Sequence, residues 1–520
     1  MALPETIPEI LARQAALRSA AVALIDGDVR VTYGELAAQA ERVAVALASG
    51  GIGKGARVAL LAHDSAELWT VVFGIARAGG VVMGLNWRLT VAELAFQLTD
   101  AEAQVLFVGI ESSAKAEALR AACPALRLVV VLRGAGGSWL SLSDWLDAAP
   151  AAPLAVPVGR DDVAAQMYTS GTTGKPKGVM LAHRSFVAVV AAMHAAGDPW
   201  IGWSADDISL TGMPSFHIGG LWWAMTAFNA GARCVVLPMF AGWRALQAIE
   251  QHGVTKLCLV PAMLQVCLSE PECARTDFSS LRTVVYGGSP IPRPTLETAM
   301  RTFGCGFAQI YGLTETGNTA VCLRPDDHRR LELLEAAGRP YPGVTVRVVG
   351  ADGRELPSRS IGEICIRSPA NMLGYWRRDD ATAATLRDGL VHTGDAGFLD
   401  EQGYVHVCDR LKDMVCTAGE NVYPAEVESV LCAHPAVEQA AVIGVPDERW
   451  GELLKAFVVL RAGAAATAAE VLGFARGKLA DFKLPRSVEF VASLPRTPSG
   501  KIQKHVLRAP FWAGRSRRVN

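Results

Sequence analysis

The sequence predicts an α/β protein: a large N-terminal domain of wound α/β layers plus a β-rich subdomain, then a small α+β C-terminal domain. Three observations carry this expectation. Helical apolar spacing alternates with short β-branched runs early in the chain, short alternating strands take over beyond Gly338, and a polar break after Asp409 precedes a lysine-bearing tail. With 520 residues the chain exceeds one compact core, and usual domain sizes allow roughly two to four units. The expected division is 1–409 and 410–520.

Within residues 31–98, Leu36, Val43 and Leu47 keep helical spacing and the run 58–61 reads as a buried strand. Residues 148–158 are rich in Pro and Ala and read as a surface connection, since proline fixes the backbone and removes a donor. The runs 256–260 and 283–286 each end in Gly or Pro and lead into a helix, as at the edge of a sheet where ligands gather. Strands are expected at 344–349 and 363–367, separated by Asp-Gly and Gly turns. After Asp409 come a helix at 424–431 and a strand at 437–443, and the Ala-rich residues 462–469 form a loop into a further helix.

Composition narrows the function. Hydrophobic residues make up 51% and charged ones 19%, which suits a globular chain. Fifty basic and 51 acidic residues nearly cancel, so the broad positive field that nucleic acid or an anionic membrane would favour is missing. The apolar stretch 219–236 is interrupted by Asn229, Gly231 and Arg233 too early to fill a bilayer and reads as buried core. The N-terminal residues carry acidic groups where an export signal needs a basic start. Eleven cysteines without CxxC spacing argue against a disulfide framework or a zinc site, and a reducing cytoplasm is expected.

The most informative segment is YTSGTTGKPKGV, residues 168–179. Gly171 and Gly174 let backbone amides approach an anion. Thr169, Ser170, Thr172 and Thr173 add hydroxyl donors, and Lys175 and Lys177 add charge. A polyphosphate suits that chemistry. Two residues separate Gly171 from Gly174 before Lys175, which is not the P-loop spacing.

With PSFHIGG (214–220), YGGSP (286–290), QIYGLTETG (309–317), HTGD (392–395), GYVHVCDRLKDMVCTAGENVYPAEVE (403–428) and PRTPSGKIQK (495–504) in the same order, the chain resembles the adenylate-forming superfamily. That group comprises acyl-CoA synthetases, adenylation domains and beetle luciferases, and the resemblance is strongest to bacterial fatty-acid or aryl acid:CoA ligases. It implies ATP, Mg2+ and coenzyme A as reactants. An apolar carboxylic acid, a medium- or long-chain fatty acid or an aryl acid, would become acyl-AMP and then an acyl thioester. Loading of a carrier protein and a silent nucleotide-binding scaffold are the alternatives, and a homodimer is left open.

A carboxylate resists nucleophilic attack, so ATP must first make it a mixed anhydride. Glu315 offers a hard oxygen to magnesium, with Thr314 beside it for phosphate. By resemblance, Asp395 accepts the ribose hydroxyls, Arg410 assists, and Gly288, Ser289, Gln309, Tyr311 and Gly312 border the nucleotide. Lys501 is the expected catalytic ammonium, neutralising charge as pyrophosphate leaves. His217, Gly287, Ile310 and Leu313 are expected along the acyl group, with Phe216, Ile218 and Leu221 adding apolar wall.

One rigid arrangement cannot both aim Lys501 and open a path for pantetheine, so the C-terminal domain is expected to be mobile about a hinge at Lys412. Gly419 would line the thiol's path, and Trp450, Lys483 and Arg486 would meet coenzyme A. The loop reads TAGEN, placing Ala418 where many CoA ligases carry a first glycine.

Overall fold

The structure, a computed structural model, describes residues 3–134, 139–150, 154–169, 176–417, 420–447, 449–496 and 502–513. The helix Tyr33–Ser49 starts where the Thr32 hydroxyl accepts the Glu35 amide at 3.2 Å and the Glu35 carboxylate accepts the Thr32 amide at 2.8 Å. It buries Leu36, Val43 and Leu47, as their spacing predicts. Its neighbour Ala66–Arg77 lies so close that a Cβ on Gly74 would sit 2.4 Å from Val43, which is why that position has no side chain.

Among the described residues the strands form four sheets. In the first, Arg57–Leu61 pairs in parallel with Val81–Gly84 and Val105–Gly109, while the hairpin Val163–Thr169 and Lys177–Ala182 extends one side. In the second, Ile208–Thr211, Lys256–Leu259, Thr283–Gly287 and Gly306–Tyr311 run parallel, and Val321–Leu323 reverses direction. A shared core joins Val58 and Phe107 of the first sheet to Leu24 and Val236 of the second, with Trp69, Phe73 and Phe228 from helices. Burying these strands on both faces explains their unbroken apolar runs.

The apolar stretch 219–236 resolves into the helix Ile218–Ala230, a left-handed Gly231 at φ +78°, and the strand Arg233–Val236. No helix among the described residues is long and apolar enough to cross a membrane.

The third sheet holds Thr345–Val349, Gly362–Arg367, Leu390–Leu399 and Val405–Arg410. The fourth contains Val415–Thr417, Glu420–Val422, Val437–Asp447, Gly451–Leu460 and Ser487–Phe490. The helices Pro424–Cys432 and Ala468–Ala475 cover it, around a separate core that includes Val415, Val427, Leu431, Val442 and Val458. A large wound α/β body, a β-rich subdomain and a smaller α+β domain are therefore present, as the sequence predicts. The strand expected at 437–443 is longer, because its ladder with Gly451–Leu460 continues through the turn-proximal residues to Asp447.

Candidate active site

Two acidic groups meet at the end of the parallel strand Gly306–Tyr311, one from the turn that follows it and one from the third sheet. Four residues beyond Tyr311, Glu315 lies in the short helical turn Thr314–Thr316, which the Thr316 hydroxyl holds by accepting the Leu313 amide at 2.9 Å. Tyr375 donates to Glu315 Oε1 at 2.8 Å, and the Met372 amide donates to the Glu315 carbonyl at 2.9 Å. Tyr375 reaches this place because Gly374–Tyr375 pairs with Lys177–Ala182, in the register Tyr375 to Val179. Lys177 Nζ lies 4.7 Å from the Tyr375 ring centre. The same hairpin pairs Thr169 with Lys177, so both flanks of the glycine-rich segment are described beside the glutamate. Ser170, Gly171, Thr172, Thr173, Gly174 and Lys175 lie outside the described residues.

The second acidic group is Asp395. Its strand pairs it directly with Arg410, whose Nε lies 2.9 Å from Oδ1, while Tyr311 donates to Oδ2 at 2.7 Å. The Asp395 amide donates to the Thr393 hydroxyl at 3.0 Å, and that hydroxyl donates to the Ile364 carbonyl at 2.7 Å. Gly394 between them takes φ +69°, a turn that a side chain would strain. Burial, reinforced by the Asp395 charge, holds the Tyr311 phenol well above its usual pKa, so it stays a donor. The third sheet thus ties Asp395 to Tyr311 of the second sheet, four residues from Glu315.

The glycines expected to admit a ligand answer first to packing. A Cβ on Gly287 would meet the Ile310 carbonyl at 2.4 Å, and one on Gly312 would meet Asn318 backbone at 2.7 Å. Gly288 takes φ +82° and Ser289 follows it, half-buried. Gln309 accepts from the Tyr286 hydroxyl at 3.1 Å, a contact within the sheet.

On the expected acyl side, His217 precedes the helix Ile218–Ala230 with its ring 4.6 Å from Phe216. Phe216 is pressed on Gly84, where a Cβ would lie 2.7 Å from its Cα. Ile310 is 5% exposed and joins Trp222, Trp223, Cys258 and Tyr341 in one apolar cluster, with Ile218 and Met213 at its margin. Leu221 instead belongs to the core that holds Trp69 and Phe228, because it leaves the opposite face of its helix. Leu313 is half-buried. Beneath His217, the buried Asp64 carboxylate accepts the Ser215 hydroxyl at 2.5 Å and the Ser215 amide at 3.1 Å. Burial pushes Asp64 up to about 7.

In the small domain Trp450 is exposed and carries Arg449 on its ring, and Arg486 is exposed. Lys483 is not poised toward a phosphate: both Glu426 oxygens hold its ammonium, at 2.7 and 2.8 Å. Lys412 lies in the turn Leu411–Asp413. Gly419, Ala418 and Lys501 lie outside the described residues, though Arg496 and Ile502, which flank 497–501, pair as a bridge. Sequence reasoning missed Tyr375 and Thr393 as supports of the acidic pair. Thr393 lies inside the HTGD motif, whereas Tyr375 lies outside every quoted motif and carried no signal in the sequence.

A surface groove of about 300 Å³ lined by Asp26, Arg133, Pro238 and Trp243 shares no residue with this constellation.

Solved adenylate-forming enzymes have this architecture along the whole chain. Anthranilate CoA ligase AuaEII, in complex with anthranoyl-AMP, superposes with a TM-score of 0.90 at 31% identity, covering 98% of each chain. ATP-bound MatB from Rhodopseudomonas palustris gives 0.87 at 34%, covering 97% of this chain and 99% of that one. The chain belongs to the AMP-binding enzyme family, whose model matches residues 11–376, and the AMP-binding enzyme C-terminal domain matches 426–501. A fatty acid–[acyl-carrier-protein] ligase, ScoC of Streptomyces coeruleorubidus, is 48% identical over 491 residues, 94% of this chain and 93% of that one. Feruloyl-CoA synthase of an Amycolatopsis species is 39% identical over 500 residues, 96% and 98% of the two chains.

Proposed function

We propose that the chain is an acid:CoA ligase that makes acyl-AMP from an apolar carboxylic acid and ATP, then passes the acyl group to the thiol of coenzyme A. The observation that carries this reading is the bond from Tyr311, at the end of the strand Gly306–Tyr311, to Asp395 of the third sheet, which brings a carboxylate suited to ribose to the strand end that carries Glu315 four residues further on. In the first step the carboxylate oxygen attacks the α-phosphorus, the bond to the bridging oxygen breaks, and pyrophosphate leaves. In the second the thiol loses its proton and attacks the acyl carbon, and AMP departs.

In this reading Asp395 and Arg410 hold the ribose, Lys177 and the threonine-glycine turn hold the phosphates, and Lys501 offsets the charge on the departing pyrophosphate. Glu315, an oxygen donor oriented by Tyr375, suits magnesium, which when bound neutralises phosphate charge. The cluster of Ile310 with Trp222 and Trp223 favours an apolar acyl group. The eleven free cysteines suit a reducing cytoplasm.

Domain alternation about Lys412 accords with its neighbours. Arg410 is tied to Asp395 of the large domain, whereas Asp413 takes the Arg508 guanidinium of the small domain's helix Lys504–Trp512 at 2.7 Å. Rotation then falls on the two residues between these anchors, which leaves Arg410 with the large domain and starts the small one just beyond the boundary expected at 410.

A second reading, transfer to the phosphopantetheine thiol of a carrier protein, is favoured by the resemblance to ScoC and by the Lys483 pairing with Glu426, which removes one expected coenzyme A contact. Acid-dependent AMP release with coenzyme A supports the first reading, and release only with a carrier protein bearing a free phosphopantetheine thiol the second. No pyrophosphate release with any of a panel of aliphatic and aryl acids would overturn both.

A further inference from the structure

We propose that Glu363, Cys365 and His392 form a binding site for a thiophilic divalent cation, zinc by its donor set, and that filling it weakens nucleotide binding at Asp395. Cys365 and His392 are direct partners across the strands Gly362–Arg367 and Leu390–Leu399. Glu363, two residues before Cys365, shares its face, and a shift of register between Glu363 and Cys365 draws the three together. The opposite face is committed to the core through Ile364, Ile366 and Val405.

His392 Nδ1 lies 2.8 Å from Glu363 Oε2 and 3.4 Å from Cys365 Sγ, and all three donor atoms fall within 4.8 Å of one another. Metal bonds of about 2.0–2.3 Å in a tetrahedron put donor atoms roughly 3.3–3.6 Å apart. The sulfur and nitrogen already have that spacing, and the carboxylate need withdraw by only about half an ångström. Sulfur, imidazole nitrogen and one carboxylate select zinc or cobalt over magnesium, which demands oxygen. Three protein donors leave a fourth position for water, so binding is reversible. His392 and Glu363 side chains keep 15% and 24% exposure above the buried Cys365, which opens the site toward solvent.

The charged groups around the thiol are Glu363, Arg387 and Arg347. Burial pushes Cys365 up to about 12, Glu363 adds to this, and Arg387 opposes it. Arg347, the cross-strand partner of Cys365 on Thr345–Val349, is turned toward Glu355 at 3.6 Å. The thiol gives up its proton to solvent as the cation binds, and the imidazole, which donates from Nδ1 to the Glu363 carboxylate in the empty site, moves that proton to Nε2.

The coupling follows from the other Glu363 oxygen. Oε1 accepts the Gly394 amide at 3.0 Å and so braces the turn that carries Asp395. A cation on Oε2 draws that carboxylate away from the turn. This coupling rests on the nucleotide reading of Asp395, whereas the binding does not.

The test is a titration of the full-length protein with Co2+, read by thiolate charge-transfer and tetrahedral ligand-field absorption, then repeated with Zn2+ as competitor. The wild type is expected to show both signals, and Cys365→Ala to lose them while melting at the same temperature without metal. Cys365→Ser serves where the alanine variant melts early. Identical spectra in wild type and variant would overturn the site. With Zn2+ bound, the KM for ATP is expected to rise several-fold in the wild type and not in the variant. A Cys365-dependent spectrum with an unmoved KM would overturn the coupling alone. Failure of the Asp395 reading would show separately, as an Asp395→Ala variant with unchanged ATP affinity.

Discussion

Tyr375 donates to Glu315 at 2.8 Å across sixty residues of sequence, with the Lys177 ammonium over its ring. Burial, and after it the Glu315 charge, keeps this phenol protonated, so it fixes the carboxylate's direction. Supports of this kind typically contribute 10- to 100-fold, and Tyr375→Phe is expected to raise the magnesium requirement of pyrophosphate release by roughly that factor. Glu315→Gln should cost more. An unaltered magnesium dependence in Tyr375→Phe would remove Glu315 from the metal's surroundings.

Tyr311 offers a parallel test at the proposed ribose end. Removing its hydroxyl takes a charge-assisted bond from Asp395, of about 1.5–3 kcal/mol, so Tyr311→Phe should raise the KM for ATP roughly tenfold or more. The KM for the acid should stay within about twofold on the same reasoning, since the lost bond lies on the nucleotide side. Equal rises in both would mark Tyr311 as a structural strut only.

Asp64 gives a pH prediction whose sign is fixed by burial. Its pKa rises from 3.8 unfolded to about 7 folded. The two states bind protons alike at low pH; stability then falls as pH climbs from about 4 to about 7, by roughly 4 kcal/mol at most. Asp64→Asn can still accept the Ser215 amide and escapes that loss. Thermal melts should show the variant more stable near pH 8, with the gap closing toward about pH 4. A gap that is constant across this range would refute the assignment.

The small domain holds a buried ion pair. Lys504 lies 2.9 Å from Glu428 and 3.6 Å from Asp409, and burial raises Glu428 despite the Lys504 charge. Lys504→Met strands Glu428 and should cost roughly 3–5 kcal/mol at neutral pH. The defect should shrink as pH falls and Glu428 takes up a proton. Denaturation midpoints that differ equally at acid and neutral pH would argue against the pair.

Much of this was legible in the sequence because the relevant forces are local. The helix Tyr33–Ser49 shows in the spacing of Leu36, Val43 and Leu47, and the strand Lys256–Leu259 in a short apolar run ending at a proline. Glu315 and Asp395 stand out because carboxylates next to Thr and Gly turns rarely serve a core. Leu221 packs in the core with Trp69 and Phe228 rather than in the cluster of Ile310, and a helix that is apolar all round does not reveal which of its faces goes where. Lys483 was read as available, because its partner Glu426 lies 57 residues away.

The sequence by itself determined the class of chemistry: a series of motifs in the order of the adenylate-forming superfamily implies, by that resemblance, that a carboxylate is activated by ATP. Only the tertiary structure decided which groups support that chemistry. Tyr375 reaches Glu315 through a strand pairing, Arg410 reaches Asp395 through a register, and Cys365 meets His392 across two strands. The reason is physical. Propensity and periodicity act over a few residues, whereas hydrogen-bond ladders bring together side chains that no local rule connects.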